Sequence, residues 1–256
     1  MHTDFCAVIT GGARGLGAAI AKGYAEAGMK VTILDVRDRE GAATASALGD
    51  ACQFIHCDVS IATDVESAFV TAHETMGRID VLAAVAGLDV PGHAAEDVPV
   101  QVWERVMAVN ARGTFLCNQA AFRHMRQQGH GGAIVNFASY AGIRGYAERA
   151  PYAAAKGAVL AWTRSAALAW AEHDVTVNAI APLMETEVAV RYLEKLDAST
   201  RAAFEERLRV QVPLRGRLGD PKTDLVPLML LLASKGGRYM TGQVFAVDGG
   251  MTMVGS

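Results

Sequence analysis

The chain has 256 residues, of which 51% are hydrophobic and 20% charged, with a formal net charge of −3 and a pI near 6.2. Intrinsic disorder is excluded, because it needs fewer apolar residues and more uncompensated charge. The near-neutral balance gives no electrostatic reason to expect nucleic-acid binding.

The longest uncharged apolar stretches, such as residues 225–233, fall far short of the roughly 20 residues that cross a bilayer. Met1-His2-Thr3-Asp4 lacks a basic start followed by an apolar core, so no signal peptide is expected. Cys6, Cys52, Cys57 and Cys117 show no CxxC spacing and read as free thiols of a reducing cytoplasm. The histidines are dispersed with no HExxH pair, so no metal site is expected.

Short apolar runs alternate with helical patterns along the chain. Residues 5–10 form an apolar run that ends at glycines, and 15–27 then carry helical spacing stopped by Gly28. A run at 31–34 precedes a helix at 42–48. A run at 53–57 precedes a helix at 62–76 that Gly77 ends. The fourth run is 81–86, followed by a long helical stretch at 100–126. A fifth run at 133–138 leads to an Ala-rich helix at 150–172, and runs at 175–180 and 244–247 complete the set. Runs this apolar, without period-2 alternation, fit strands covered on both faces. Strands alternating with helices imply parallel βαβ units, hence an α/β doubly wound fold. Residues 187–219 are rich in Arg and Glu and read as helices or a flexible insertion, with a substrate lid around 187–215.

The first run leads into Thr10-Gly11-Gly12-Ala13-Arg14-Gly15-Leu16-Gly17. Glycines at 11, 15 and 17 allow a tight turn and close approach of backbone to a pyrophosphate, and the helix that follows offers free N–H groups and its positive dipole end. A glycine-rich turn alone is a weak signal. Here it follows a strand, opens a helix and precedes Asp35, 18 residues beyond Gly17, where a ribose-binding carboxylate belongs. That context predicts dinucleotide binding. The Asp35 carboxylate favours NAD, since it would repel the extra phosphate of NADP; Arg14 and Arg37 are the nearby residues that would favour that phosphate, and they read as solvated surface side chains.

Tyr152 and Lys156 stand at i and i+4, one turn apart on a helix face. A phenol with a pKa near 10 is a poor base at pH 7, and lowering it by about 3 units needs about 4 kcal/mol. A lysine and an oxidised nicotinamide supply two positive charges for that purpose. Lysine is scarce, six against 18 arginines, which sets Lys156 apart within an Ala-rich stretch. Ser139 follows the fifth run at the carboxyl edge of the predicted sheet, 13 residues before Tyr152.

Taken together, these residues resemble the classical short-chain dehydrogenase/reductase family over nearly the whole chain. The resemblance is carried by residues 10–17, Asp35, Cys57-Asp58-Val59, Asn110-Ala111-Arg112-Gly113, Ser139, Tyr152 with Lys156, residues 177–182, Thr241-Gly242-Gln243 and Asp248-Gly249-Gly250. It implies a single Rossmann-type domain with a seven-stranded parallel sheet flanked by helices, and NAD(P)-dependent oxidoreduction. By that similarity Tyr152 is the general acid/base, Lys156 lowers the Tyr152 pKa and binds the nicotinamide ribose, Ser139 holds the substrate oxygen, and Asn110 steadies a proton relay to Lys156. The cofactor contacts it implies are Gly11, Arg14, Gly15, Leu16, Gly17, Asp35, Val36, Asp58, Val59, Ala86, Gly87, Tyr152, Lys156, Pro182 and Thr186, with NAD as cofactor and a homotetramer or homodimer as the assembly.

Two departures stand out. Ala84-Val85-Ala86-Gly87 replaces the family's Asn-Asn-Ala-Gly and loses two turn-stabilising side chains. Pro182-Leu183 replaces Pro-Gly, and Leu183 does not readily take a positive φ, so that loop is expected to run differently.

The function expected is interconversion of a secondary alcohol and its ketone. The competing readings are an NADPH-dependent 3-oxoacyl thioester reductase, which shares the catalytic residues, and a non-catalytic nucleotide-binding protein. The substrate pocket is expected from residues 89–93, 140–146 and 183–185 and parts of 187–215. Arg144, Arg149 and Arg191 are candidate anion contacts whose surface role is the plainer reading.

Overall fold

The computed structural model describes residues 5–90, 92–186, 190 and 193–253. Its elements in chain order are β1 (Cys6–Thr10), α1 (Gly15–Glu26), β2 (Lys30–Asp35), α2 (Asp38–Leu48), β3 (Cys52–His56), α3 (Ala62–Met76), β4 (Val81–Ala84) and α4 (Val100–Met107). A π turn (Ala108–Arg112) joins α4 to α5 (Gly113–Gln128). Then come β5 (Gly132–Phe137), α6 (Tyr140–Arg144), α7 (Ala150–Trp170), β6 (Val175–Pro182), α8 (Ala198–Gln211), α9 (Val226–Ala233) and β7 (Val244–Val247).

The seven strands form one parallel sheet in the order β3-β2-β1-β4-β5-β6-β7. The expected strands all appear, though β4 ends at Ala84, two residues before its apolar run does. Alternate residues of each strand face opposite cores, as the two-residue period of a strand demands. Val8 joins the core built with Phe69, Phe122 and Trp170, so α3, α5 and α7 cover that face. Ala7 and Ile9 join the core built with Ile20, Tyr24 and Met229, so α1 and α9 cover the other.

The stretch at 100–126 is not one helix: the π turn interrupts it around Asn110. α6 and α9 went unread in the sequence, α6 because five residues carry no period, α9 because VPLMLLLA is apolar all round. Tyr24 donates from its hydroxyl to the Met229 carbonyl oxygen (3.2 Å), tying α1 to α9.

A buried polar lattice fixes α7 against the sheet. Asn118 of α5 and Asn136 of β5 exchange hydrogen bonds (2.7 and 3.0 Å). Asn136 also donates to Thr163 Oγ1 (3.0 Å), and Trp162 donates its indole N–H to Asn118 Oδ1 (2.9 Å). Each buried polar atom in that set has a partner, which is the condition for it to stabilise.

Candidate active site

The carboxyl ends of the strands gather at one edge, and the order reverses between β1 and β4. Ligands of open parallel sheets bind in the crevice at such a switch point. After β1 the chain turns on Gly11, whose N–H donates to the Leu34 carbonyl oxygen (2.8 Å). A Cβ there would lie 2.7 Å from Ala86 Cα, so only glycine lets the β1 and β4 loops approach this closely. Gly15, at φ +59°, has nothing within 4 Å of where a Cβ would stand, which leaves that side of the turn open. Ala18 is the first residue of α1 to donate to an i−4 carbonyl, that of Arg14 (3.3 Å). The N–H groups of Gly15, Leu16 and Gly17 thus precede the helical ladder, and Arg14 caps them with no side-chain bond.

Asp35 ends β2 half-buried, accepting from the N–H of Ala13 at Oδ2 and of Arg37 at Oδ1, both 3.1 Å. Val36 beside it is 49% exposed. Asp58 binds the N–H and hydroxyl of Ser60 (2.9 and 2.7 Å), and buried Val59 packs on Gly113. An open glycine turn, unbonded N–H groups and a carboxylate at the end of the neighbouring strand together fit a dinucleotide.

On the other side of β4 the departure at 84–87 is bridged by other side chains. Ala86 N–H donates to Thr10 Oγ1 (3.2 Å). Asn110, buried in the π turn, closes two bonds on Leu88: its Nδ2 donates to the Leu88 carbonyl oxygen (2.7 Å) and its Oδ1 accepts from the Leu88 N–H (2.9 Å). A Cβ on Gly87 would meet Asn110 Oδ1 at 2.9 Å and Lys156 Nζ at 3.5 Å, so glycine there lets these groups converge. Lys156 is buried and donates from Nζ to the Phe137 carbonyl oxygen (2.6 Å). Burial depresses its ammonium to about 8, with the charge of Asp89 acting in the opposite sense.

Ser139 caps α6. Its Oγ accepts from Ala141 N–H (3.1 Å), which leaves its one hydroxyl proton for the phenolic oxygen of Tyr152. The Tyr152 phenol lies buried and is raised from its ordinary value. Burial dominates, and the Asp89 carboxylate adds to it; the Ser139 hydrogen bond and the Arg149 charge pull the other way. Lys156 lies 5.6 Å from the Tyr152 ring centre, with its ammonium already committed to Phe137.

At the outer side of this group Arg149 pairs with Asp89 and lies over the Tyr146 ring, 5.4 Å from its centre. Tyr140 meets Tyr146 edge-on at 5.9 Å. Beyond β6 the chain stays extended: Leu183 N–H donates to the Val247 carbonyl oxygen (2.9 Å), and Met184 bridges to Gly219. Leu183 therefore needs no positive φ, and Thr186 follows half-buried. Arg144 donates to the Met251 carbonyl oxygen (3.2 Å), which takes it into the C-terminal segment. Arg191 lies outside the described residues, as do 187–189 and 192 of the expected lid. The described part of that lid carries α8, capped by Asp197. Sequence reading missed Leu88 and Phe137, which act through backbone atoms and leave no residue-type signal.

A family model described as enoyl-(acyl carrier protein) reductase matches residues 11–252. This chain is a member of the classical short-chain dehydrogenase/reductase family. It is therefore an oxidoreductase of a family that uses a nicotinamide cofactor. The short-chain reductase protein NovJ of Streptomyces niveus is 38% identical, covering 95% of this chain and 92% of its own. The cis-4-hydroxycyclohexanecarboxylate dehydrogenase of Sinomonas cyclohexanicum is also 38% identical, covering 97% and 96%. Among solved structures, the 3-ketoacyl-(acyl-carrier-protein) reductase of Brucella melitensis, complexed with NADH, superposes with a TM-score of 0.89 at 29% identity, covering 99% of this chain and all of that one. In this short-chain dehydrogenase/reductase no group of His, Cys, Asp and Glu suited to a metal ion occurs among the described residues.

Proposed function

We propose that this enzyme interconverts a secondary alcohol and its ketone with NAD, using Tyr152 as general acid/base. The observation that carries the reading is the convergence of Ser139, Tyr152, Lys156 and Asn110 beside the open glycine turn. NAD supplies a hydride acceptor when bound. Its pyrophosphate would be held by the N–H groups of Gly15, Leu16 and Gly17, its adenosine ribose by Asp35, its adenine beside Val36, Asp58 and Val59. Gly11, Arg14, Ala86, Gly87, Pro182 and Thr186 would line the rest.

Tyr152 takes the hydroxyl proton in oxidation and returns it in reduction. When substrate binds, Ser139 turns its one hydroxyl proton from Tyr152 to the substrate oxygen, so that oxygen lies between the two side chains. Lys156 holds a positive charge beside the ring and fixes the Phe137 backbone. Asn110 keeps the 87–89 loop against both. Burial raises the Tyr152 phenol, and the positive charge of an oxidised nicotinamide would act in the opposite sense.

Tyr152→Phe is expected to lower turnover by at least about 10²–10⁴, the worth of a general acid/base, while leaving NAD affinity within severalfold. Near-normal turnover in that variant removes the assignment. A panel of secondary alcohols read by NADH absorbance, with NAD and NADP compared, separates this reading from an NADPH-dependent 3-oxoacyl thioester reductase. That second reading draws on the superposed reductase, and Asp35 speaks against it.

We read residues 1–256 as one catalytic domain. Four free cysteines, with burial pushing Cys52 to about 11 and Cys57 to about 12, suit a reducing cytoplasm. No helix of the described residues is long and apolar enough to cross a membrane. We read the assembly as a homodimer or homotetramer, a state that light scattering reads directly.

A further inference from the structure

Arg149 sits one residue before α7 and three before Tyr152, so its guanidinium stands beside the group that handles the substrate oxygen. Its partner Asp89 directly follows Leu88, which Asn110 clamps on both backbone groups. The pair is thus fixed to the reactive centre from two directions. It is not a buried structural bridge: the Arg149 and Asp89 side chains are 38% and 36% exposed. An ion pair that open to water is worth little, so an incoming anion exchanges with it at small cost.

The surroundings favour such an exchange. Tyr146 lies under the Arg149 guanidinium and holds its plane. Tyr140 meets Tyr146 edge-on, and burial pushes Tyr140 to about 12, so it stays a neutral donor. The charges of both Arg149 and Arg207 act on that phenol. Arg207 comes from α8, where its guanidinium lies 5.3 Å from the Phe204 ring centre. Arg149 lies against the paired rings, and Asp89 is the one carboxylate that pairs with it among the described residues.

We propose that Arg149, lying over Tyr146 beside Tyr140, forms a carboxylate subsite to which Arg207 of α8 adds a second positive charge, and that the enzyme's alcohols are hydroxy acids whose carboxylate docks there. This rests on the reading of Tyr152 as the acid/base. The carboxylate takes a bidentate bond from Arg149 in place of Asp89 and a phenolic hydrogen bond. Asp89 then acts as a competing anion that neutralises Arg149 until the substrate arrives.

The test is binding, with no turnover required. The protein is titrated calorimetrically, with and without NAD, with cyclohexanecarboxylate and cyclohexanecarboxamide, and with benzoate and benzamide. Each acid is expected to bind at least about tenfold more tightly than its amide, and the preference to shrink at high salt. Arg149→Gln and Arg207→Gln each reduce that preference at least severalfold. Asp89→Asn increases it, a gain that misfolding cannot mimic. Arg201→Gln, on the same helix but paired with Glu205, leaves it unchanged. Equal affinities for acid and amide, binding of neither, or a preference that survives both arginine variants overturns the subsite. Turnover of hydroxy acids and their amides then reads the same ratio in kcat/KM. Absence of a carboxylate preference in the unsubstituted enzyme, with intact Tyr152-dependent turnover of neutral alcohols, refutes the subsite alone. Intact turnover in Tyr152→Phe refutes the catalytic reading and leaves the binding result standing.

Discussion

Lys156 is held charged where little water reaches it. Its pKa falls from 10.5 to about 8 in the folded chain. Between those values the unfolded chain binds the extra proton, so stability rises with pH across that window. Below about 8 the folded protein bears the full cost of the buried ammonium, about 3 kcal/mol for a shift of this size. Lys156→Met is therefore expected to abolish turnover yet raise stability by about 1–3 kcal/mol at pH 7, with the gain fading as pH climbs from about 8 to 10.5. Thermal unfolding of both proteins across that range checks it, and a variant less stable at pH 7 contradicts it. Ser139 makes a second case. Its hydroxyl caps α6 and bonds the Tyr152 oxygen, so Ser139→Ala removes a stabiliser of the phenolate. A spectroscopic titration should place the Tyr152 phenol higher in that variant, and kcat should fall with it. That Tyr152, Lys156 and Ser139 lie together was legible from residue type and spacing. The depressed Lys156 and the raised Tyr152 were not, because both come from burial that no sequence pattern states.

The π turn at Ala108–Arg112 is the element the sequence concealed best. A π turn adds one residue to a helical turn, so the apolar spacing of 100–126 continues across it with a shift too small to read. Its effect is local: it turns Asn110 inward to meet Leu88. Deleting Ala111 to restore a regular helix is expected to release the 87–89 loop and to cut kcat more than it cuts stability. A kcat that falls only in step with lost fold contradicts that role. The Asn118–Asn136 lattice was equally hidden, since asparagines in apolar surroundings read as interruptions until their partners are seen. Asn136→Leu leaves Asn118 and Thr163 short of partners and is expected to cost about 2–4 kcal/mol in chemical denaturation, while Leu82→Val in the same core costs about 1 kcal/mol.

Across the whole molecule the parallel sheet followed from the alternation of strand and helix, and each predicted strand found a place in it. The segment beyond β6 was less legible, because α8 buries none of its residues and so carries no periodic signal. At the sheet edge remote from the reactive residues, buried Asp80 accepts from Cys6 N–H (2.9 Å) and from Arg78 Nε and Nη2 (2.9 and 2.5 Å). Asp80→Ala strands both donors and should destabilise the fold by about 2–4 kcal/mol with little change in KM below its melting point. Asp80 and Lys156 thus lie at opposite rims of one sheet. Changes that harden the fold against heat at the first rim combine additively with changes that retune selectivity at the second, so the two properties are open to separate engineering.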